Sequence, residues 1–169
     1  VDHVVRTLAL LREQGCEAEL TIIGWGQDEW RLEAQVDELG LSEAVTFAGR
    51  LNDAEKNVEL QKAHLLLHTS MREGWGLNVI EANAMGTPAV VYPVGGLVDS
   101  TVHGQTGLVS EAETPESLAK AVISLANDPA KYEVMRAAAW ERSFGFRWQS
   151  VLPPTCDWLE NMARDSEPV

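Results

Sequence analysis

The chain has 169 residues, 45% of them hydrophobic, and a formal net charge of −13 from 26 acidic and 13 basic residues. This length and composition fit one globular domain with a buried core, and the negative charge disfavours nucleic acid and anionic lipid as main partners. The two cysteines, Cys16 and Cys156, lie far apart without metal-type spacing, which predicts neither a disulfide framework nor a zinc site and fits the cytoplasm.

The first element is predicted to be an amphipathic helix. Its apolar residues follow the i, i+3, i+4, i+7 pattern at Val1, Val4, Val5, Leu8 and Leu11. No capping residue stands before this helix, and the chain does not begin with Met. We therefore expect a fragment from which the preceding strand and loop are missing.

Five short apolar runs follow, and polar, helix-like segments separate them. The runs are AELTIIGW, AVTFAG, AHLLLHTS, TPAVVYP and TGLVS. Because they are almost continuously apolar rather than alternating, they are typical of strands buried on both faces of a parallel sheet. The alternation of strands with helices predicts repeated βαβ units, and hence an α/β fold with helices on both faces of the sheet.

The C-terminal part, from about residue 115 to 163, is predicted to contain helices only. Two of them are PESLAKAVISLANDP and AKYEVMRAAAWERSF. The final segment, FRWQSVLPPTCDWLENMA, contains Pro153 and Pro154, which we expect to end or sharply kink a helix. Residues 1–169 as a whole are expected to form a single domain.

A glycine-containing loop, MREGWG, follows a strand predicted to end at Ser70. Gly74 and Gly76 would let a ligand approach the main chain closely. The next segment, LNVIEANAMG, predicts a helix whose free N–H groups, near Gly76, Leu77 and Asn78, face outward and suit a phosphate. In an open parallel sheet, ligands bind at this edge, beyond the carboxyl ends of the strands.

Two carboxylates, Glu73 and Glu81, flank the start of this helix. Glu81 lies ~6 Å along the helix from Leu77, so it would repel a bound phosphate unless sugar hydroxyl groups donated hydrogen bonds to it. Glu73 could accept such bonds on the other side, so that the pair would bracket a sugar diphosphate. Spacing alone equally allows a solvent-facing Glu81 and a Glu73 that merely sits in a turn.

Other polar positions give weaker signals. Gly24 and Gly26 also follow a strand, but Glu29 stands where a dinucleotide fingerprint has its third glycine, which disfavours NAD binding. His64 and His68 bracket the third strand, and we expect them to pack rather than catalyse. His103, in a loop, could have either role.

Residues 64–109 contain a specific pattern of the type S-x-x-E-G-F-G-L-x-x-x-E-A-M-A-x-G-T-P-V-V. The matching residues are Ser70, Glu73, Gly74, Gly76, Leu77, Glu81, Ala82, Ala84, Gly86, Thr87 and Pro88. Trp75 replaces the usual Phe, and Asn83 the usual Met. The segment closely resembles the donor-binding half of retaining glycosyltransferases with the two-domain GT-B fold, in particular family 4, "group 1". The match extends to Gly24, Gly26, Gly95, Gly96, Gly104 and Gly107.

The resemblance implies a Rossmann-like domain, the C-terminal half of a GT-B glycosyltransferase, with a nucleotide diphosphate sugar as donor and no further cofactor. Family members transfer the sugar with retention and without a metal, and this sequence has no Asp-x-Asp motif. By resemblance, Glu73 at the catalytic centre would position hydroxyls of the transferred sugar rather than act as a nucleophile. Glu81 would hold the ribose, and the amides of Gly76 and Leu77 the distal phosphate.

The same resemblance completes the expected donor site. It adds Gly74, Asn78, Gly95 and Gly96 to the site. It also places the loop of Gly24 and Gly26 beside the nucleotide. Trp25 in that loop could line the pocket or pack at a sheet edge. Arg50 could stack on the base or be a solvated surface residue.

Some parts of the family's site are not in these residues. The family takes an Arg and a Lys for the diphosphate from a G-R-L…K-G segment that would precede residue 1. Its N-terminal domain would bind the acceptor, such as a lipid, a glycan or a small molecule, and could give the full-length protein a peripheral membrane association. We therefore expect the chain alone to bind donor weakly and to transfer little.

Two other functions stay open at the level of sequence. The same fold serves sugar phosphorylases and nucleotide-sugar epimerases. The domain could also be a non-catalytic nucleotide-sugar sensor or interaction domain, although both glutamates and the pocket glycines are present.

Overall fold

The computed structural model describes residues 1–165, which form five strands and eight α-helices. The strands are β1 Leu20–Ile23, β2 Val45–Gly49, β3 Leu66–His68, β4 Ala89–Val91 and β5 Gly107–Val109. The helices are α1 Asp2–Glu13, α2 Glu29–Glu38, α3 Asp53–Lys62, α4 Leu77–Ala84, α5 Gly95–Ser100, α6 Pro115–Ala126, α7 Pro129–Ser143 and α8 Trp148–Asp165. A short 3-10 helix, Phe144–Phe146, connects α7 to α8.

The strands pair in parallel, as predicted, but they form two sheets rather than one. β1 pairs with β2, and β4 lies between β3 and β5. β4 is wholly buried, whereas β3 is half-buried and β1 alternates between half-buried and exposed residues. The expectation that every strand is buried on both faces is therefore wrong for β1, β2 and β3, whose residues are half-buried or exposed. Each of these three has a hydrogen-bonded neighbour on one side only within residues 1–165, whereas β4 has two.

The main hydrophobic core surrounds β4. Fully buried side chains reach it from three helices and the strand: Val79 of α4, Val90 of β4, Leu118 of α6 and Met135 of α7. Burial of each such side chain contributes about 1.5–3 kcal/mol relative to exposure. This core fixes the position of α4, the helix on which the candidate site depends.

The first helix, α1, contributes to two cores. Leu11 belongs to the core around β4, whereas Val5 and Leu8 pack in a second cluster with residues of the β1–β2 region. The predicted apolar face is therefore buried, except that Val1 is exposed. The helix thereby packs against the cores of both sheets.

Helix α3 begins with a capping box. The side chain of Asn52 accepts a hydrogen bond from the Glu55 N–H, and the Glu55 carboxylate accepts one from the Asn52 N–H. This reciprocal pair satisfies two donors at the start of the helix. It fixes the first turn of α3, from which Lys56 reaches α4.

The last helix, α8, continues through Pro153 and Pro154, so the expectation that they end the helix is wrong. The φ of proline is compatible with a helix, but each proline lacks an N–H and leaves the carbonyl four residues earlier unpaired. α8 is exposed along its length, so water can satisfy those carbonyls. Among residues 1–165, no helix has the length and apolar content needed to cross a membrane.

Candidate functional site

The candidate site lies where β3 ends and α4 begins. The intervening loop, residues 69–76, contains Glu73 and a Gly-Trp-Gly sequence. This loop packs against α5, the helix that follows β4. The segments after two adjacent parallel strands thus meet at one edge of the sheet, which is where open α/β sheets bind ligands.

Gly76 ends the loop and caps α4 in a left-handed conformation, with φ of +72°. A Cβ atom at this position would lie 2.9 Å from the Ser100 Oγ and 3.0 Å from the Leu97 Cδ2. Both of those residues are fully buried on α5. Glycine is required for two reasons, since other residues disfavour this φ and the neighbouring space is filled. The first turn of α4 is thereby fixed against α5.

The first turn of α4 presents free backbone donors. Within residues 1–165, the N–H groups of Gly76, Leu77 and Asn78 donate no hydrogen bond to a protein atom. The Leu77 side chain is 71% exposed and Asn78 is also exposed, whereas Gly76 is buried, so the turn faces solvent at residues 77 and 78. Free N–H groups at the positive end of a helix dipole suit an anion such as a phosphate.

Glu73 is held by its own loop and by α5. Its Oε1 accepts a hydrogen bond from the Gly74 N–H at 3.1 Å, and its backbone carbonyl accepts one from the Gly96 N–H at 3.2 Å. Gly96 permits this approach, because a Cβ there would lie 2.5 Å from the Glu73 carbonyl oxygen and the Trp75 nitrogen. The side chain of Glu73 is 30% exposed, so its carboxylate is accessible to a ligand.

His68, the last residue of β3, contacts the same loop. Its Nδ1 accepts a hydrogen bond from the Ser70 N–H at 3.3 Å, and its Nε2 lies 3.7 Å from the Glu73 Oε2. Burial lowers the pKa of His68 below its usual 6.5, although the Glu73 carboxylate and the Asn78 side chain act in the opposite direction. The imidazole is therefore neutral at pH 7.

Glu81 lies on α4 and forms an ion pair with Lys56 of α3. The Lys56 Nζ is 3.1 Å from the Glu81 Oε2 and 3.3 Å from the Asp53 Oδ1. The hydrogen bond to Glu81 raises the pKa of Lys56 above its usual value. The Glu81 side chain is 47% exposed, so it can still meet a ligand. The positive charge of Lys56 also offsets the repulsion between Glu81 and a phosphate bound near it.

Two open depressions border this ion pair. The smaller, about 270 Å³, is lined by Asp53, Lys56, Asn57, Glu81, Ala84 and Met85. The larger, about 550 Å³, is lined by Arg50, Leu51, Asn52, Asp53 and Glu55. The two depressions share Asp53, which pairs with Lys56; Arg50 lines the larger and Glu81 the smaller.

Gly24 and Gly26 lie at the end of β1 in a more open loop. Gly24 has φ of +127°, and its N–H donates to the Gly49 carbonyl at 2.8 Å, at the end of β2. A Cβ at either glycine would meet no atom within 4 Å. Trp25 is 72% exposed, so the alternative in which it packs at a sheet edge is wrong. The contacts of this loop run to β2 rather than to the 69–76 loop.

The structure brings together only part of the predicted site. Direct contacts join Glu73, Gly74 and Gly96, and Gly76 packs on the same helix, α5. The His68 ring lies next to Glu73, and Asn78 is exposed in the first turn of α4. Glu81 and Arg50 belong to the neighbouring surface between α3 and α4. Gly24 and Gly26 belong to the β1–β2 edge, and Gly95 is exposed with no atom within 4 Å of its Cβ position.

Sequence reasoning missed three residues that support the site. His68 was expected only to pack, although its position at the carboxyl end of a strand was a usable signal. Lys56 and Ser100 had no such signal, because their roles depend on how α3 and α5 pack against α4. Among the residues described, no group of three or more His, Cys, Asp or Glu is placed to hold a metal ion.

Comparison with known proteins relates this geometry to a family. The family model described as "Glycosyl transferases group 1" matches residues 1–142. The "Glycogen synthase" of Mycobacterium tuberculosis is 34% identical over 157 residues, which cover 92% of this chain and 38% of that protein. The chain therefore spans about two-fifths of the length of this curated relative.

Solved structures show the same fold. Sucrose-phosphate synthase from Thermosynechococcus elongatus superposes with a TM-score of 0.83 at 26% identity, over 96% of this chain and 43% of that one. Anabaena HepE, in complex with UDP, superposes with a TM-score of 0.80 at 22% identity, over 96% of this chain and 44% of that one. In both cases the match covers less than half of the larger protein.

Proposed function

Because the chain belongs to the glycosyl transferases group 1 family, we propose that it is the donor-binding domain of a glycosyltransferase that uses a nucleotide diphosphate sugar. The proposed reaction moves the sugar from this donor to an acceptor. The proposal includes an acceptor-binding part of the protein. Such a part would account for the rest of the length of the relatives. The acceptor can be a lipid, a glycan or a small molecule, and the location proposed is the cytoplasm.

The observation that carries the proposal is the first turn of α4. The N–H groups of Gly76, Leu77 and Asn78 donate to no protein atom among residues 1–165, and Leu77 and Asn78 are exposed at the start of a helix fixed against α5. We infer that they bind the distal phosphate of the donor, where the negative charge of the departing diphosphate develops during transfer. Because the turn is rigid, the donors need no rearrangement to do so.

The two glutamates have different roles in this proposal. Glu73, at the edge of the loop, accepts hydrogen bonds from hydroxyls of the transferred sugar. Glu81 accepts hydrogen bonds from the ribose, and the base lies in the neighbouring depression lined by Arg50. Lys56, whose Nζ lies 3.1 Å from Glu81 and 3.3 Å from Asp53, offsets part of their negative charge.

Transfer with retention and without a divalent metal is part of the same proposal. Both follow from the family pattern around Glu73 and Glu81, and the backbone donors of α4 supply part of the stabilisation that a metal would otherwise give to the diphosphate. Nearby carboxylate charge stabilises the positively charged transition state, and Glu73 is the residue of the 69–76 loop that supplies a carboxylate.

Thermal unfolding with UDP, GDP, ADP and their sugar conjugates tests the proposal. A ligand that binds only the folded chain raises its stability, by about 2.7 kcal/mol at a concentration 100 times its Kd. One nucleotide is expected to raise the Tm, with the same shift in EDTA as without it. UDP belongs in the panel because HepE was crystallised with it.

A matched pair of variants controls this test. Glu81→Ala should lose most of the nucleotide-dependent shift. Glu59→Ala should keep the nucleotide-dependent shift. Glu59 also forms an ion pair with a lysine, Lys62, but it lies on α3, away from the start of α4. The proposal would be contradicted if none of the nucleotides raised the Tm, or if both variants kept the full shift. If a longer protein bound the nucleotide sugar but transferred no sugar to an acceptor, the result would instead favour a non-catalytic sensor.

A further inference from the structure

We propose that His68 is a positioning residue for the donor sugar, because its Nε2 faces the Glu73 carboxylate from the end of a strand. This inference rests on the proposed function, and it adds a residue that the glycosyltransferase pattern of the sequence does not include. His68 itself need not touch the donor.

The hydrogen bonds of the ring define which nitrogen carries the proton. The Ser70 N–H donates to Nδ1 at 3.3 Å, so Nδ1 is the acceptor. In the neutral ring the proton is then on Nε2, which lies 3.7 Å from the Glu73 Oε2. The single donor proton of the neutral ring thus faces the Glu73 carboxylate, a group of the proposed donor site.

The position of His68 makes it a rigid support. It is the last residue of β3, and its backbone pairs with Val91 of the fully buried β4. Its side chain is only 12% exposed, compared with 30% for Glu73. The support therefore comes from the sheet, while the supported carboxylate remains accessible. A loop carboxylate without such a partner would lose more conformational freedom when it binds a sugar.

The Glu73 carboxylate has two points of restraint. The Gly74 N–H binds Oε1 at 3.1 Å, and His68 lies next to Oε2. Each carboxylate oxygen has further lone pairs, so both can still accept hydrogen bonds from sugar hydroxyls. Removing His68 should free the Glu73 Oε2, while the phosphate and ribose contacts stay intact. The expected loss is therefore specific to the sugar part of the donor.

The test compares binding of UDP and UDP-glucose, with GDP and GDP-mannose and with ADP and ADP-glucose in parallel, by calorimetry. For the pair that binds, His68→Leu should lower the affinity for the sugar conjugate roughly tenfold, about 1.4 kcal/mol. The affinity for the nucleoside diphosphate should change less than twofold. His68→Gln should restore most of the difference, because its side-chain amide can donate near the position of Nε2. His64→Leu, two residues before β3, should change neither affinity.

Coupling to Glu73 provides the second measurement. Glu73→Gln alone should also weaken the sugar conjugate selectively. The double variant with His68→Leu should lose less than the sum of the two single losses, because both act on one interaction. Additive losses in the double variant would overturn the inference. An equal loss of affinity for the sugar conjugate and for the nucleoside diphosphate in His68→Leu would also overturn it, because it would indicate a structural role only. If the wild-type chain bound none of the nucleotides, the proposed function would fail first, and this inference with it.

Discussion

The sequence Gly-Trp-Gly occurs twice in the chain, at residues 24–26 and 74–76, and the two copies have opposite surroundings. In the first, Trp25 is 72% exposed and a Cβ at either glycine would meet no atom within 4 Å. In the second, Gly76 is packed against α5, and the Trp75 ring lies 5.9 Å from that of Phe146. The same three residues form an open loop at one sheet and a fixed loop at the other.

The difference comes from the neighbouring segments rather than from the tripeptide. Gly96, Leu97 and Ser100 of α5 fill the space behind the second loop. Comparable contacts are not made by the first loop, whose backbone bonds to the end of β2. A loop that is already fixed loses less entropy when it binds a ligand. We therefore expect the second loop, rather than the first, to anchor the donor.

Gly96→Ala should have the largest effect. Its Cβ would overlap backbone atoms of Gly74 and lie 2.5 Å from the Glu73 oxygen, and backbone cannot move aside easily. We expect a loss of about 2–4 kcal/mol in the free energy of unfolding, measured with urea, together with loss of nucleotide binding. The control is Gly95→Ala, where the Cβ position is open and stability should change by less than about 0.5 kcal/mol. Equal effects of the two variants would contradict the packing described.

Gly76→Ala, compared with Gly86→Ala, separates strain from packing. Both glycines flank α4 with similar φ, +72° and +79°, but only Gly76 has atoms within 3.0 Å of its Cβ position. We expect Gly86→Ala to cost about 1–2 kcal/mol of unfolding free energy, because the left-handed φ disfavours alanine. Gly76→Ala should cost about 1 kcal/mol more through overpacking. Identical values in urea unfolding would show that α5 does not fix the second loop.

Lys56→Gln should affect binding more than folding. The Lys56–Glu81 pair is partly exposed, so its loss should lower the free energy of unfolding by less than about 1 kcal/mol. The affinity for the bound nucleoside diphosphate should fall roughly three- to tenfold at low salt, and by less at high salt. Lys62→Gln, which removes the pair with Glu59 on the same helix, is the matched control. A similar loss of affinity in both variants would rule out a specific role for Lys56.

Gly26→Ala should have the smallest effect. Its Cβ position is open and its φ is not left-handed, so the free energy of unfolding should change by less than about 0.5 kcal/mol. Nucleotide affinity should fall by less than in Gly96→Ala. Both values come from urea unfolding and calorimetry on the same samples. A loss as large as that of Gly76→Ala would mean that the first loop is as constrained as the second.

The sequence predicted the fold better than its details. The alternation of apolar runs and helical segments indicated an α/β fold with parallel strands, and the family match and the structural similarity confirm the C-terminal half of a GT-B glycosyltransferase. The helix break expected at Pro153 and Pro154 was wrong, because α8 is exposed and water can satisfy the freed carbonyls. Burial of β1, β2 and β3 was overestimated, because an apolar run does not show how many neighbours a strand has.

The site could be predicted only where its parts are local in sequence. Glu73, Gly74 and Gly76 belong to one strand–loop–helix segment, so a short pattern identified them together. The pairing of Lys56 with Glu81 depends on contacts between α3 and α4, and the approach of Gly96 to Gly74 on contacts between α5 and the loop. Neither contact produces a recognisable residue spacing in the sequence. His68 was visible in the sequence, but its contact with Glu73 was not.

The most direct test of the central claim is an amide NMR titration of the chain with UDP, GDP and ADP. If the start of α4 binds the diphosphate, the amide resonances of Gly76, Leu77 and Asn78 should show the largest saturable shifts for one nucleotide. Those of Gly24 and Gly26 should shift less. Saturable shifts that leave residues 76–78 unchanged, with the largest changes elsewhere, would contradict the assignment of the donor phosphate to this helix.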